Sequence, residues 1–96
     1  MAAYVIYQGE VTDPEQYEHY KIRAAASIEA AGGHYIVRGG DFDVLEGEAP
    51  AGRTVVVEFP SRQAALDWYR GAEYTEARAL REHAARARLY VVDGLS

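Results

Sequence analysis

Apolar and polar positions change period several times along the chain, and each change marks an element. From Ala3 to Val11, "AYVIYQGEV" is rich in β-branched and aromatic residues, which predicts a first strand. "TDPEQ" stops it. Asp13 is a good N-cap, Pro14 suits the first helical position, and Gln16 stands three residues beyond Asp13 as in a capping box. Tyr17, Tyr20, Ala24, Ile28 and Ala31 then recur at three- and four-residue spacing, so a helix with one apolar face is expected, ended by Gly32. His19, about 200° round from Tyr17 at ~100° per residue, is expected to look outward.

The stretch "GGHYIVRGG" carries paired glycines at both ends of a short alternating segment. A second strand is expected from His34, with His34, Ile36 and Arg38 on one face and Tyr35 and Val37 on the other. Gly39 and Gly40 mark a bulge or bend, after which "FDVLEG" continues extended and "EAPAG" turns. "RTVVVEF", Arg53 to Phe59, breaks its apolar run only at Glu58, so both of its faces should be covered. Ser61 is the next N-cap. A helical segment with Ala65, Trp68 and Tyr69 follows, is interrupted at Gly71, and resumes over Tyr74, Ala77, Leu80, Ala84 and Ala87. "RLYVVDG" is the last strand.

The order β-α-β-β-α-β places residues 1–96 in one α+β domain of the ferredoxin-like kind, an antiparallel sheet with two helices on one face. Two helices cover one face only. The other, carrying apolar residues from the set Val55, Val56, Val57, Phe59, Val91 and Val92, needs a second cover, and a homodimer packed sheet against sheet supplies it most simply.

Composition narrows the function classes. The chain is 49% hydrophobic and 26% charged, as in soluble globular proteins, and no apolar run approaches the roughly 20 residues of a membrane helix. Without cysteine there is no disulfide framework or thiolate metal site, and with no signal peptide at "MAAYVIYQGEV" a cytoplasmic location is expected. A net charge of −5 argues against a broad nucleic-acid surface. Arg78, Arg81, Arg86 and Arg88 crowd the last quarter, while Glu10, Asp13, Glu15 and Glu18 cluster early. Helix-dipole complementarity explains this asymmetry; a phosphate or carboxylate site is the alternative. His19, His34 and His83 show no His-x₃-His or Glu-x-x-His spacing, so no metal is expected. Nucleophile elbow, phosphate loop and dinucleotide fingerprint are absent too, so no cofactor is expected.

The segments "EVTDPEQYEHY", "AAGGHYIVRGGDFDVLEGE", "VVVEFPSRQAALDWY" and "AEYTEARALREHAARARLYVVDG" span nearly the whole chain. Together they resemble the bacterial family called domain of unknown function 1330, of the dimeric α/β-barrel superfamily. "RGG", "EFPS" and "WY" followed by "EY" carry the likeness best. The resemblance implies a dimeric α/β barrel rather than a reaction. Superfamily relatives include cofactor-free monooxygenases, polyketide cyclases, muconolactone isomerases and haem-binding branches, many with a cavity between sheet and helices.

A site can be sketched on these elements. If the face carrying His34 and Arg38 points toward the helices, it meets Tyr17, Tyr20, Trp68 and Tyr69, an aromatic-walled pocket with convergent polar groups. Arg38 would hold a carboxylate or enolate and His34 would move a proton. Tyr20 and Tyr69 would orient the ligand, Trp68 would wall it, and Tyr74 and Arg81 would border it. Plainer roles stand beside these: His34 in solvent at the sheet's end, Arg38 paired with Glu58 or with an acid across the dimer, Tyr74 and Arg81 in surface or dimer roles, and the other aromatics as core. The expected function is binding of a small anionic or oxygenated aromatic or acyl molecule, with cofactor-free isomerisation, cyclisation or oxygenation as the chemistry. A non-catalytic dimeric binding module is the alternative.

Overall fold

Asp13 turns the chain from strand to helix, its Oδ1 accepting the Gln16 N–H at 3.2 Å while Pro14 opens the helix. In the computed structural model, which describes residues 1–95, this cap separates β1 (Ala3–Val11) from α1 (Pro14–Ala30). Gly32, at φ 81°, takes the left-handed turn that ends α1, and the Gly33 N–H closes back on the Ile28 carbonyl at 2.9 Å. Then come β2 (His34–Arg38), β3 (Arg53–Phe59), α2 (Arg62–Arg70), α3 (Ala72–Arg81) and β4 (Ala85–Asp93). Ser61 caps α2 by accepting the Ala64 N–H at 3.0 Å, and Gly71 divides α2 from α3.

The sheet runs β2-β3-β1-β4 with every pair antiparallel, and the helices lie on one side of it. This is the expected α+β ferredoxin-like arrangement, with its second helix in two pieces. Val5, Tyr7, Val55, Val57 and Phe59 point inward and pack on Tyr17, Tyr20 and Ile28 of α1, Trp68 of α2 and Tyr74 of α3. Register sends Tyr4, Ile6, Val56, Glu58, Tyr90 and Val92 to the opposite face. No helix among the described residues is long and apolar enough to cross a membrane.

Three local expectations fail. "FDVLEG" forms no ladder: β3 begins at Arg53, so beyond the Gly39 N–H to Thr54 carbonyl bond, 2.8 Å, the chain has no strand left to pair with. Phe42, Val44 and Leu45 stand exposed in that loop. The helical spacing through Ala84 and Ala87 also misleads, since α3 ends at Arg81 and β4 starts at Ala85, three residues before "RLYVVDG". Val11 pairs with Ala85 and Gly9 with Ala87, and "ARARL" alternates alanine or leucine inward with arginine outward. Finally, strict alternation along β2 fails: Gly39 makes the expected bend, at φ 72°, but a bulge lies within the strand itself. Tyr35 pairs with Val57 and Val37 with Val56, leaving Ile36 as the extra residue.

Candidate functional site

The bulge at Ile36 decides which β2 side chains reach the helices. His34 is paired with Glu58 on the outer face, whereas Tyr35 and Arg38, opposite Val57 and Val55, lie on the inner one. His34 and Arg38 therefore do not share a face, contrary to strict alternation. His34 Nε2 is 2.7 Å from Glu58 Oε1, Tyr4 donates to Glu58 Oε2 at 3.1 Å, and the imidazole is largely exposed. Glu58 thus pairs with His34, and the alternative pairing with Arg38 does not form. Arg38 instead lays its guanidinium over the Tyr35 ring, 4.4 Å from the centroid.

Inside, aromatic bodies meet through their polar tips. The Tyr17 hydroxyl donates to Tyr7 at 2.9 Å, Tyr20 and Tyr74 share a 2.9 Å hydroxyl bond, and Trp68 Nε1 donates to Ser27 Oγ at 3.0 Å. Arg78 donates to the Tyr69 hydroxyl at 2.8 Å. Burial pushes the hydroxyls of Tyr7, Tyr17, Tyr20, Tyr35 and Tyr74 above their ordinary value of 10.0. For Tyr17 the bond it gives to Tyr7 adds to the effect, and for Tyr20 the neighbouring Tyr74 does. These groups remain protonated at neutral pH and serve as hydrogen-bond donors.

Cations surround the tyrosines. The Arg53 guanidinium is 5.7 Å from the Tyr17 ring centre, and that of Arg81 is 6.0 Å from those of Tyr7 and Tyr20. The Nε atoms of Arg53 and Arg81 are buried without a hydrogen-bond partner among the described residues. Gly39 makes room for Arg53. It holds φ 72°, and a Cβ there would lie 2.7 Å from the guanidinium. At the rim, Glu18 accepts from Lys21 at 2.9 Å, a bond that holds its carboxyl below the usual range, with Arg53 and Arg38 adding to the pull.

Two adjoining spaces lie between sheet and helices. An inner cavity of about 30 Å³, room for one water, is bordered by Tyr7, Tyr17, Tyr20, Lys21, Arg38 and Arg53. A groove of about 340 Å³ between α2 and β4 is walled by Leu66, Trp68, Tyr69, Leu89 and Val91, with Arg81 as its cation. Val5, Trp68 and Leu89 border both. Neither space is lined by an acidic side chain, so each favours an anion.

Of the residues expected from sequence, Tyr17, Tyr20, Trp68 and Arg38 border the inner cavity, and Trp68 and Tyr69 the groove. Tyr74 is fully buried behind Tyr20 and lines neither. His34 faces away, and His19 and His83 are exposed. Among the described residues no three His, Asp or Glu side chains gather as a metal site would require. Sequence reasoning overlooked Tyr7 and Arg53. Alternation in β1 already placed Tyr7 beside Val5, and the missing signal was that a tyrosine there brings a hydroxyl into the core.

A family model described as Domain of unknown function (DUF1330) matches residues 2–95. No curated protein matches the chain. Among solved structures, a protein of unknown function from Rhodopseudomonas palustris superposes with TM-score 0.78 at 20% identity, over 99% of this chain and 83% of that one. SnoaB, a cofactor-independent oxygenase from Streptomyces nogalater, gives 0.64 at 11% identity, over 99% and 94%. A dimeric protein of unknown function and ferredoxin-like fold from Bacteroides fragilis gives 0.58 at 10%, over 97% and 96%. At these identities the likeness is one of fold.

Proposed function

The chain belongs to the DUF1330 family, whose description names no reaction, and we propose from its cavities that it binds a small aromatic or acyl molecule carrying an anionic or acidic oxygen. The ligand's body lies in the α2–β4 groove against Trp68, Leu66 and Leu89, and its oxygen is directed toward Arg81 and the inner tyrosines. One observation carries this reading: cations border an apolar space that no acid lines, and the buried Nε atoms of Arg53 and Arg81 have no partner among the described residues. A buried donor without an acceptor costs about 1–3 kcal/mol, so an anion that supplies one gains affinity.

The same field favours the ionised form of a phenol, enol or β-dicarbonyl. Arginines stabilise the negative oxygen, protonated tyrosines donate to it, and the low-polarity groove strengthens both. That is the support needed for isomerisation, cyclisation or oxygenation through a stabilised enolate or phenolate. The fold likeness to the cofactor-independent oxygenase supports this reading. His34 takes no part in it. A non-catalytic binding role is favoured by a separate observation, that neither space is lined by a carboxylate or an imidazole able to remove a proton.

The protein also pairs with a second copy through the open face of its sheet. Tyr90 and Val92, 60% and 46% exposed, continue Ile6 and Val56 as an apolar surface, and the fold likeness to the dimeric Bacteroides fragilis protein supports the assignment. A dimer mass in sedimentation is expected for the wild type and a monomer for Val92→Lys.

Thermal shift against small carboxylates, phenols and fused aromatic hydroxyacids tests the binding reading, because a ligand of the native state raises its melting temperature. Shifts in the wild type that shrink in Arg81→Gln are expected. Equal shifts in both would place the ligand elsewhere.

A further inference from the structure

We infer that Tyr7 is the hydroxyl that receives the ligand's oxygen, an inference that rests on the binding reading above. Three observations single it out. First, Tyr17 donates to the Tyr7 oxygen at 2.9 Å, so the Tyr7 proton points to no acceptor among the described residues. A hydroxyl that already accepts is polarised into a better donor. Second, the position is built into β1. The Tyr7 ring lies along the strand over Gly9, where a Cβ would come within 2.3 Å of the hydroxyl oxygen, so any other residue at position 9 displaces it. Third, the arginines with unpartnered Nε atoms flank the pair, Arg81 beside Tyr7 and Arg53 beside Tyr17.

The second hydroxyl pair differs. There either hydroxyl could donate, and only Tyr20 of the two reaches the inner cavity, whereas Tyr7 and Tyr17 both border it and Tyr17 is the donor between them. A donor hydroxyl between guanidiniums selects an acceptor oxygen with negative charge. The ligand class is therefore a phenolate, enolate or carboxylate, with its charged oxygen inside and its carbon skeleton in the groove.

The test uses 4-nitrophenol, whose ionised form absorbs visibly, with nitrobenzene as a probe of similar shape without the hydroxyl. Calorimetry gives affinities, and absorbance against pH gives the ionisation midpoint of the bound phenol. Wild type is expected to bind 4-nitrophenol and lower its midpoint. Tyr7→Phe, folded by circular dichroism, should bind it about tenfold more weakly, since a hydrogen bond to a charged group carries about that factor, and should return the midpoint toward that of the free probe. Nitrobenzene should bind both proteins alike, and Tyr17→Phe, which removes only the polarising donor, should fall between them. Unchanged affinity and midpoint in folded Tyr7→Phe would overturn the inference while leaving the binding reading intact. No binding of either probe by the wild type would overturn both.

Discussion

The hydroxyls of Tyr20 and Tyr74, from helices α1 and α3, meet at 2.9 Å with both rings buried. Each is the other's partner, so removing one oxygen strands its neighbour in a low-polarity interior. Tyr20→Phe and Tyr74→Phe should each lose about 1–3 kcal/mol in urea unfolding. The double variant should lose clearly less than the sum, because no orphan remains. Additive losses would mean that the two oxygens do not interact.

Ser27 is the buried polar residue of α1. Its Oγ donates to the Ala24 carbonyl at 2.8 Å and accepts from Trp68 Nε1 at 3.0 Å. Ser27→Ala should cost about 1–3 kcal/mol by leaving the indole N–H unpaired. Trp68 is the only tryptophan, so the change should appear in its emission as well as in the melt. An unaltered spectrum and stability would remove the bond from the account.

His34 and Arg38 separate the two faces experimentally. Arg38→Ala should weaken binding of anionic ligands, because Arg38 borders the inner cavity. His34→Ala should leave binding unchanged and shift stability by at most about 1 kcal/mol, as expected for a largely exposed polar contact. Titration calorimetry on both variants decides. A binding loss in His34→Ala equal to that in Arg38→Ala would contradict the register.

Alkaline pH should weaken the fold. Tyr7, Tyr17, Tyr20, Tyr35 and Tyr74 hold their protons in the native state above the ordinary value of 10.0, mainly because burial disfavours the phenolate. Between that value and the raised native one, the unfolded chain has lost protons that the native chain keeps. Stability is therefore undiminished below about pH 10 and falls as pH rises above it. Phenolate absorbance near 295 nm should show these groups ionising together with unfolding. Ionisation of all of them in a folded protein at pH 10 would refute this.

Much of the framework was legible because local chemistry specifies it. Asp13 and Ser61 cap the helices they were expected to cap, Gly32 ends α1, and Gly71 breaks the second helical segment. Those signals are contained within a few residues. The site was less legible because its geometry comes from pairing. Nothing within "HYIVR" marks Ile36 as the extra residue; that follows from how β2 meets β3. Likewise Ala84 and Ala87 fit a helix until β1 offers Val11 and Gly9 as strand partners to Ala85 and Ala87. Tyr17, Tyr20 and Trp68 were found at helical spacing. Tyr7 and Arg53 border the inner cavity through side chains brought from distant segments.

Ile36 also gives β2 a tolerance to change of length. Register with β3 sends His34 outward and Arg38 inward, and the bulged residue is spare to that pairing. A gene that lost its codon would still encode a strand with the imidazole on the outer face of the sheet and the guanidinium on the helix side. Forcing Ile36 into the ladder would instead turn Val37 and Arg38 over together. Single-residue shortening at this point thus preserves the facing of both side chains, whereas straightening exchanges a cation for a valine at the cavity.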